Sequence, residues 1–235
     1  MRRRGIRELL YAVLWKLGLR PRASSSLQRD IFTTVYEQNE WGSEESRSGA
    51  GSTRERGSHF RAELLEILSH FGIRSIVDAP CGDFNWMRDV VVEHDYTGVD
   101  IVDELIVTNR ERHGAANRRF LCGDLTRDSL PKADLILCRD CLVHFSYADI
   151  RAAIANFQRS GSKYLLTTTF TKAVNIDIRT GGWRPLNLQA EPFAFPEPVA
   201  VIDEIPAGVM HDYPDKKLCL WELASLRAYP SSTVR

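Results

Sequence analysis

Between residues 75 and 170 the chain alternates short apolar runs with helical patterns, and nothing else in it constrains the fold as strongly. The runs fall at 75–79, 96–101, 119–122, 133–138 and 163–170, with helical spacing at 86–93, 103–112 and 147–159 between them. A further helix is expected over 54–71, where Phe60, Leu64, Leu65 and Leu68 share a face before Gly72 ends it. Strands alternating with helices, and apolar almost throughout, imply a parallel sheet covered on both faces. Two later runs, 199–205 and 217–223, are separated by 206–215, too short for a crossover helix, so they should pair antiparallel.

In such sheets ligands bind beyond the carboxyl ends of the strands. Asp78, Asp100 and Asp124 each close one of the first three strands, and 22 residues separate the first two. That is the separation at which an acidic side chain reaches a ribose diol. Clustered unpaired anions repel, so their convergence points to a ligand carrying hydroxyl, amino and cationic groups. Pro80, Gly82 and Phe84 stand where a dinucleotide loop carries glycines. Only Gly82 allows close backbone approach, and Pro80 and Phe84 would crowd a pyrophosphate, which disfavours a dinucleotide dehydrogenase.

At 235 residues and 43% hydrophobic, one substantial core is expected. Lys plus Arg and Asp plus Glu both number 31, leaving no global field to attract nucleic acid, and no nucleic-acid motif is present. The charge is uneven: residues 1–22 hold seven basic side chains and one acidic one (+6), against 24 and 30 (−6) in the rest. Ile6, Leu9, Leu10, Val13, Leu14 and Leu17, with Arg3, Arg4, Arg7 and Lys16 among them, read as an amphipathic helix. Lys16 interrupts the apolar run and no cleavage site follows, so secretion is disfavoured. Packing on the domain or on a partner subunit, a hint of a homodimer, is favoured over docking on a membrane surface. Five cysteines, an odd number, imply reduced thiols and a cytoplasmic location. Cys138 and Cys141 have CxxC spacing, but no second pair completes a zinc site.

The motifs VDAPCGD, YTGVD and CGDL resemble those of class I S-adenosylmethionine-dependent methyltransferases over residues 75–223. This resemblance implies an α/β, Rossmann-like, seven-stranded, mostly parallel sheet with an antiparallel last strand and helices on both faces. It also implies a cofactor set. Asp78, Ala79, Pro80, Cys81, Gly82 and Trp86 would lie against the methionine moiety, Asp100 and Ile101 at the ribose, and Asp124 and Leu125 at the adenine. Arg139 joins them, and Arg47 and Ser48 would meet the cofactor's carboxylate. The stretches YEQNEWGSEESRSGAGST, DLILCRDCLVHFS, TTTF and GGWRPLNL are similar to a narrower group, bacterial methyltransferases like the mycobacterial sugar 1-O-methyltransferase of methylmannose polysaccharide synthesis.

After the fourth strand, adenine-N and glutamine-N methyltransferases carry an Asn/Asp-Pro-Pro-Tyr/Phe loop, whereas this chain has Cys138-Arg-Asp-Cys-Leu-Val-His-Phe145. A hydroxyl acceptor is therefore expected, with His144 as general base and Asp140 orienting it or binding the acceptor. Magnesium is a variant, with Asp140 and Asn175 or Asp177 as oxygen ligands. Two stretches without periodicity, 32–53 and 171–198, carry large aromatics and read as lids. Residues 1–53 are thus a helix and cap, and 54–235 a methyltransferase domain with a lid at 171–198. Tyr36, Trp41, Thr169, Asn175, Trp183 and Arg184 are the candidate acceptor residues, suited to a sugar or oligosaccharide. The rivals are a methyltransferase for another metabolite or for a protein nitrogen or oxygen, and a non-catalytic nucleoside-binding module.

Overall fold

The computed structural model describes residues 2–90, 93–205 and 210–229, with side chains from residue 5 onward. Three helices precede the sheet: α1 (Arg2–Lys16), α2 (Ser25–Gln38) and α3 (Arg54–His70). The sheet region follows as β1 (Ser75–Asp78), β2 (Asp95–Asp100), α4 (Asp103–His113), β3 (Arg118–Cys122), β4 (Leu135–Cys138), α5 (Tyr147–Arg159), β5 (Tyr164–Phe170), β6 (Ala200–Asp203) and β7 (Lys216–Glu222).

The strand order is β3-β2-β1-β4-β5-β7-β6. The first five strands are parallel, and β7 runs antiparallel to both neighbours, with Thr167 opposite Cys219. β4 and β5 are buried along their whole length because helices cover both faces. On one face Ile136 and Leu165 pack with Ile150, Ile154 and Phe157 of α5. On the other, Ile76, Tyr96 and Leu137 pack with Phe60, Leu64 and Leu68 of α3 and Ile106 of α4. Chain order reverses between β1 and β4, which opens the crevice at their carboxyl ends.

Local signals set the helix ends. Thr53 Oγ1 accepts from Arg56 N–H at 3.4 Å to open α3, and Ser146 Oγ accepts from Asp149 N–H at 3.1 Å to open α5. Beyond α3, Gly72 takes the left-handed conformation with φ 62°.

Two expectations are corrected. The helix expected over 86–93 is a single 3₁₀ turn, Met87–Asp89, and residues 91 and 92 lie outside the described residues. Trp86 and Met87 are both drawn into the core, with the Trp86 ring 5.2 Å from Phe60. The stretch 32–53 is also not structureless throughout. Its first seven residues complete α2, which Ser24 opens by accepting from Leu27 N–H at 3.2 Å. The second stretch, 171–198, has neither helix nor strand.

Candidate active site

The carboxyl ends of β1, β2 and β3 open into one cavity of about 930 Å³ including its mouth. Asp78, Asp100 and Asp124 all line it, as do Pro80, Cys81, Gly82, Trp86, Ile101, Leu125, Arg139, Arg47 and Ser48. Ala79 does not; it is wholly buried behind the loop.

The loop after β1 is clamped by Ser46, Arg47 and Ser48. Ser46 Oγ and the Arg47 N–H donate to the Asp83 carboxylate at 3.0 and 2.9 Å, and Asp83 N–H donates to Ser48 Oγ at 2.9 Å. Gly82 has φ 53°, and a Cβ there would lie 2.2 Å from Ser48 Oγ, so both conformation and close approach require glycine.

The three carboxylates differ in state. Burial pushes the Asp78 carboxyl up to about 7, against the 2.6 Å hydrogen bond it accepts from the Tyr96 hydroxyl. Burial likewise raises Asp100 to about 6, although its oxygens accept from Gly82 N–H at 3.1 Å and Val102 N–H at 3.0 Å. Asp124 Oδ1 accepts from the Thr126 amide and hydroxyl, while Oδ2 has no hydrogen-bond partner, with Arg127 Nε 3.5 Å away. Gln28 on α2 also lines the cavity at 1% exposure, and its Nε2 lacks a partner. An unmet acceptor and an unmet donor in one apolar-walled cavity suit a base with an amino group beside a ring nitrogen.

A second, more open pocket of about 1030 Å³ including its mouth adjoins the first. Ser48, Trp41, Arg139, Asp140 and His144 line both and form the shared wall. Beyond them the outer pocket is bounded by Phe170, Trp183 and Tyr213, and by Arg56, Glu204, His211 and Lys216. Trp183 and Tyr213 lie 5.1 Å apart.

Asp140 follows β4 with φ 52°, a conformation that a non-glycine residue keeps only where its surroundings fix it. Its N–H donates to Thr168 Oγ1 at 2.9 Å. Its Oδ2 accepts from Lys216 Nζ at 2.7 Å and lies 3.5 Å from Arg139. Arg139 and Lys216 also reach Glu204, at 2.7 and 3.0 Å, closing a four-membered charge network. Burial works against ionisation of Asp140, but Lys216 and Arg139 outweigh it and hold the carboxyl well below the usual range.

His144 sits in a 3₁₀ turn, Leu142–His144, with its ring 5.3 Å from Trp41. Its Nδ1 lies 2.9 Å from the Gly182 carbonyl. A carbonyl only accepts, so Nδ1 carries the proton and Nε2 is the free basic nitrogen. Burial lowers its pKa and favours the neutral ring. The Gly182 carbonyl, not Asp140, therefore orients the imidazole.

Several expected acceptor residues bond to backbone groups of the protein itself. Arg184 is 2% exposed and donates to the Leu142 and Phe145 carbonyls at 2.9 and 2.8 Å. Thr169 Oγ1 accepts from Leu188 N–H, and Asn175 bonds to Asn187 and Glu191. Tyr36 lines the inner cavity rather than the outer pocket. The magnesium set is not assembled: Asp140 is neutralised by Lys216, Asp177 accepts from Tyr147 N–H, and no cluster of three or more His, Cys, Asp or Glu that could hold a metal is found among the described residues. All five cysteines are free.

Fold and site define the class, a Rossmann-like α/β protein with a ligand cavity at the carboxyl ends of its parallel strands. Residues 76–161, which carry β2 through α5 and most of β1, match the family model described as "Methyltransferase domain". Among solved structures, the chain is similar to Haemonchus contortus phosphoethanolamine N-methyltransferase 1 in complex with phosphoethanolamine and S-adenosylhomocysteine (TM-score 0.51, 16% identity, 68% of this chain and 36% of that one). Magnesium protoporphyrin IX methyltransferase from Synechocystis PCC 6803, with bound S-adenosylhomocysteine, gives TM-score 0.48, 16% identity and coverage of 64% and 74%. The amino pentose methyltransferase CalS10 from Micromonospora echinaspora, with S-adenosylmethionine, gives 0.40, 17%, and 46% and 48%. The chain thus spans about half the length of the last structure. No curated protein matches the sequence.

Proposed function

We propose that this protein transfers a methyl group from S-adenosylmethionine to a hydroxyl of a small acceptor, a sugar or short oligosaccharide, held in the outer pocket. Residues 1–53 act as the cap of the domain and 171–198 as its lid. One observation carries the reading: His144, with its proton fixed on Nδ1, stands in the wall between the two pockets.

The inner cavity suits the donor. Asp100 binds the ribose hydroxyls, Asp124 Oδ2 takes the adenine amino group and Gln28 Nε2 a ring nitrogen, since both atoms lack partners. Arg47 and Ser48, with Pro80, Cys81, Gly82 and Trp86, enclose the methionine moiety, and Arg139 closes the far wall. The bound donor supplies an electrophilic methyl on a positively charged sulfur. The protein must align the acceptor and remove its proton, and His144 Nε2 takes that proton as the oxygen–carbon bond forms. Asp140, tied to Lys216, keeps the shared wall polar and positions the acceptor rather than the imidazole.

Trp41 and Trp183, 38% and 46% exposed, offer flat apolar faces to a pyranose, while Arg56 and His211 suit its hydroxyls. The test is methyl transfer from labelled S-adenosylmethionine to a panel of neutral and acidic sugars, beside thermal-shift titration with S-adenosylhomocysteine and NAD. Stabilisation by S-adenosylhomocysteine with labelled sugar product supports the reading. Stabilisation by NAD alone, or methylation only of amines, overturns it.

A further inference from the structure

α1 holds to the protein by one side only. Tyr11, 6% exposed, and Trp15 pack against Ala23, Leu27 and Ile31, and the Tyr11 hydroxyl accepts from Thr180 N–H at 3.2 Å. Ile6, Leu9, Leu10, Val13 and Leu17 face the other way and are 41–70% exposed. At about 100° per residue these five fall within an arc of about 100°, centred opposite Tyr11 and Trp15. Of the expected packing on the domain or on a partner subunit, the contact with the domain is made by the aromatic pair and not by the leucine face. Arg7 and Lys16, both exposed, border the stripe on either side.

We infer that this face docks on a bilayer surface containing anionic phospholipid. The helix lies along the interface, because no described helix is long and apolar enough to cross a membrane. An apolar stripe edged by cations is the pattern of an interfacial helix, in which burial of the stripe and attraction to anionic headgroups add. The charge decides between occupants. Residues 1–22 carry +6 on seven basic side chains and one acidic one, so pairing the same helix from a second copy would set two such ends against each other. An anionic surface meets both the stripe and the cations. Docking would also seat the lid, since Thr180, which bonds Tyr11, is two residues before the Gly182 carbonyl that orients His144.

The test is co-sedimentation of the full chain with phosphatidylcholine vesicles, alone or with one quarter phosphatidylglycerol, with the oligomeric state read by ultracentrifugation. Binding to the anionic vesicles should be about tenfold or more stronger than to the neutral ones and should fall in high salt. Leu9→Asp with Val13→Asp, at exposed positions, should abolish it without changing Tm, and Arg7→Glu with Lys16→Glu should remove the preference for anionic lipid. Equal or absent binding to both vesicles overturns the inference. So does a wild-type dimer that the Leu9→Asp, Val13→Asp variant turns into a monomer, which would show that a second copy covers the face. None of these readouts depends on the acceptor, so the methyltransfer proposal stands or falls separately.

Discussion

The imidazole of His144 and the carbonyl of Gly182 are joined by a 2.9 Å hydrogen bond across 38 residues of chain, from the loop after β4 to the stretch after β5. The Gly182 carbonyl thus sets the tautomer of the ring that faces both pockets, and removal of the imidazole tests the role directly. His144→Ala should lower kcat by about 10²- to 10⁴-fold, the usual contribution of a general base, while the Kd for S-adenosylhomocysteine stays near wild type. Single-turnover methyl transfer and calorimetry give the two numbers. A binding module would show no turnover to lose.

Activity should also carry the signature of a neutral imidazole. Burial moves His144 below its ordinary value of 6.5, so Nε2 is unprotonated above that pH and protonated well below it. The acid limb of kcat/KM should fall below about pH 6.5 and plateau above it. A limb centred above pH 7 would point to a different base.

The buried carboxyl of Asp78 makes the ligand-free protein less stable as pH rises. Its pKa is about 7 in the folded state against an ordinary 3.8, so the folded state holds a proton that the unfolded chain has released. Stability from this group is full below about pH 4 and is lost as pH rises through 7, an effect on the order of a few kcal/mol. Asp78→Asn should flatten the fall in Tm between pH 4 and 7. An unchanged profile would place the pH dependence elsewhere.

Glu204 is the buried counter-charge of Arg139, with side chains 2% and 5% exposed. Glu204→Ala should destabilise by about 3–5 kcal/mol, because it leaves Arg139 buried beside one fewer anion. Urea unfolding measures it. A cost under about 1 kcal/mol would mean that Asp140 and Lys216 rearrange to compensate.

Gln28 separates folding from binding. Its Nε2 has no partner in the ligand-free protein, so Gln28→Leu should leave stability unchanged or raise it slightly. The same change should weaken S-adenosylhomocysteine binding by about 2- to 10-fold, the worth of one neutral hydrogen bond. Equal affinity in the variant would remove Gln28 from the adenine site.

Much of the sheet was legible because its signals are local. Strand length, apolar continuity and the helix stop at Gly72 are written in runs of a few residues, and the acidic strand ends followed from strand position alone. Inward packing of Trp86 and Met87 was not legible, since Trp86 packs against Phe60, a residue distant in sequence. Gln28 carries no motif. It enters the cavity because α2 crosses the sheet's carboxyl edge, and Tyr213 and Lys216 enter the outer pocket through the β6–β7 connection.

By itself the sequence determined the α/β order, the three carboxylates at successive strand tips and the histidine in the loop after β4, all properties of neighbouring residues. Only the tertiary structure decided which groups those residues meet. It gave Asp140 to Lys216, tied Arg184 and Asn175 to backbone carbonyls, assigned the imidazole to a backbone carbonyl and left the leucines of α1 facing outward. The reason is physical: buried charges and hydrogen-bonding groups must find partners, and those partners are set by chain packing across dozens of residues rather than by any spacing along the sequence.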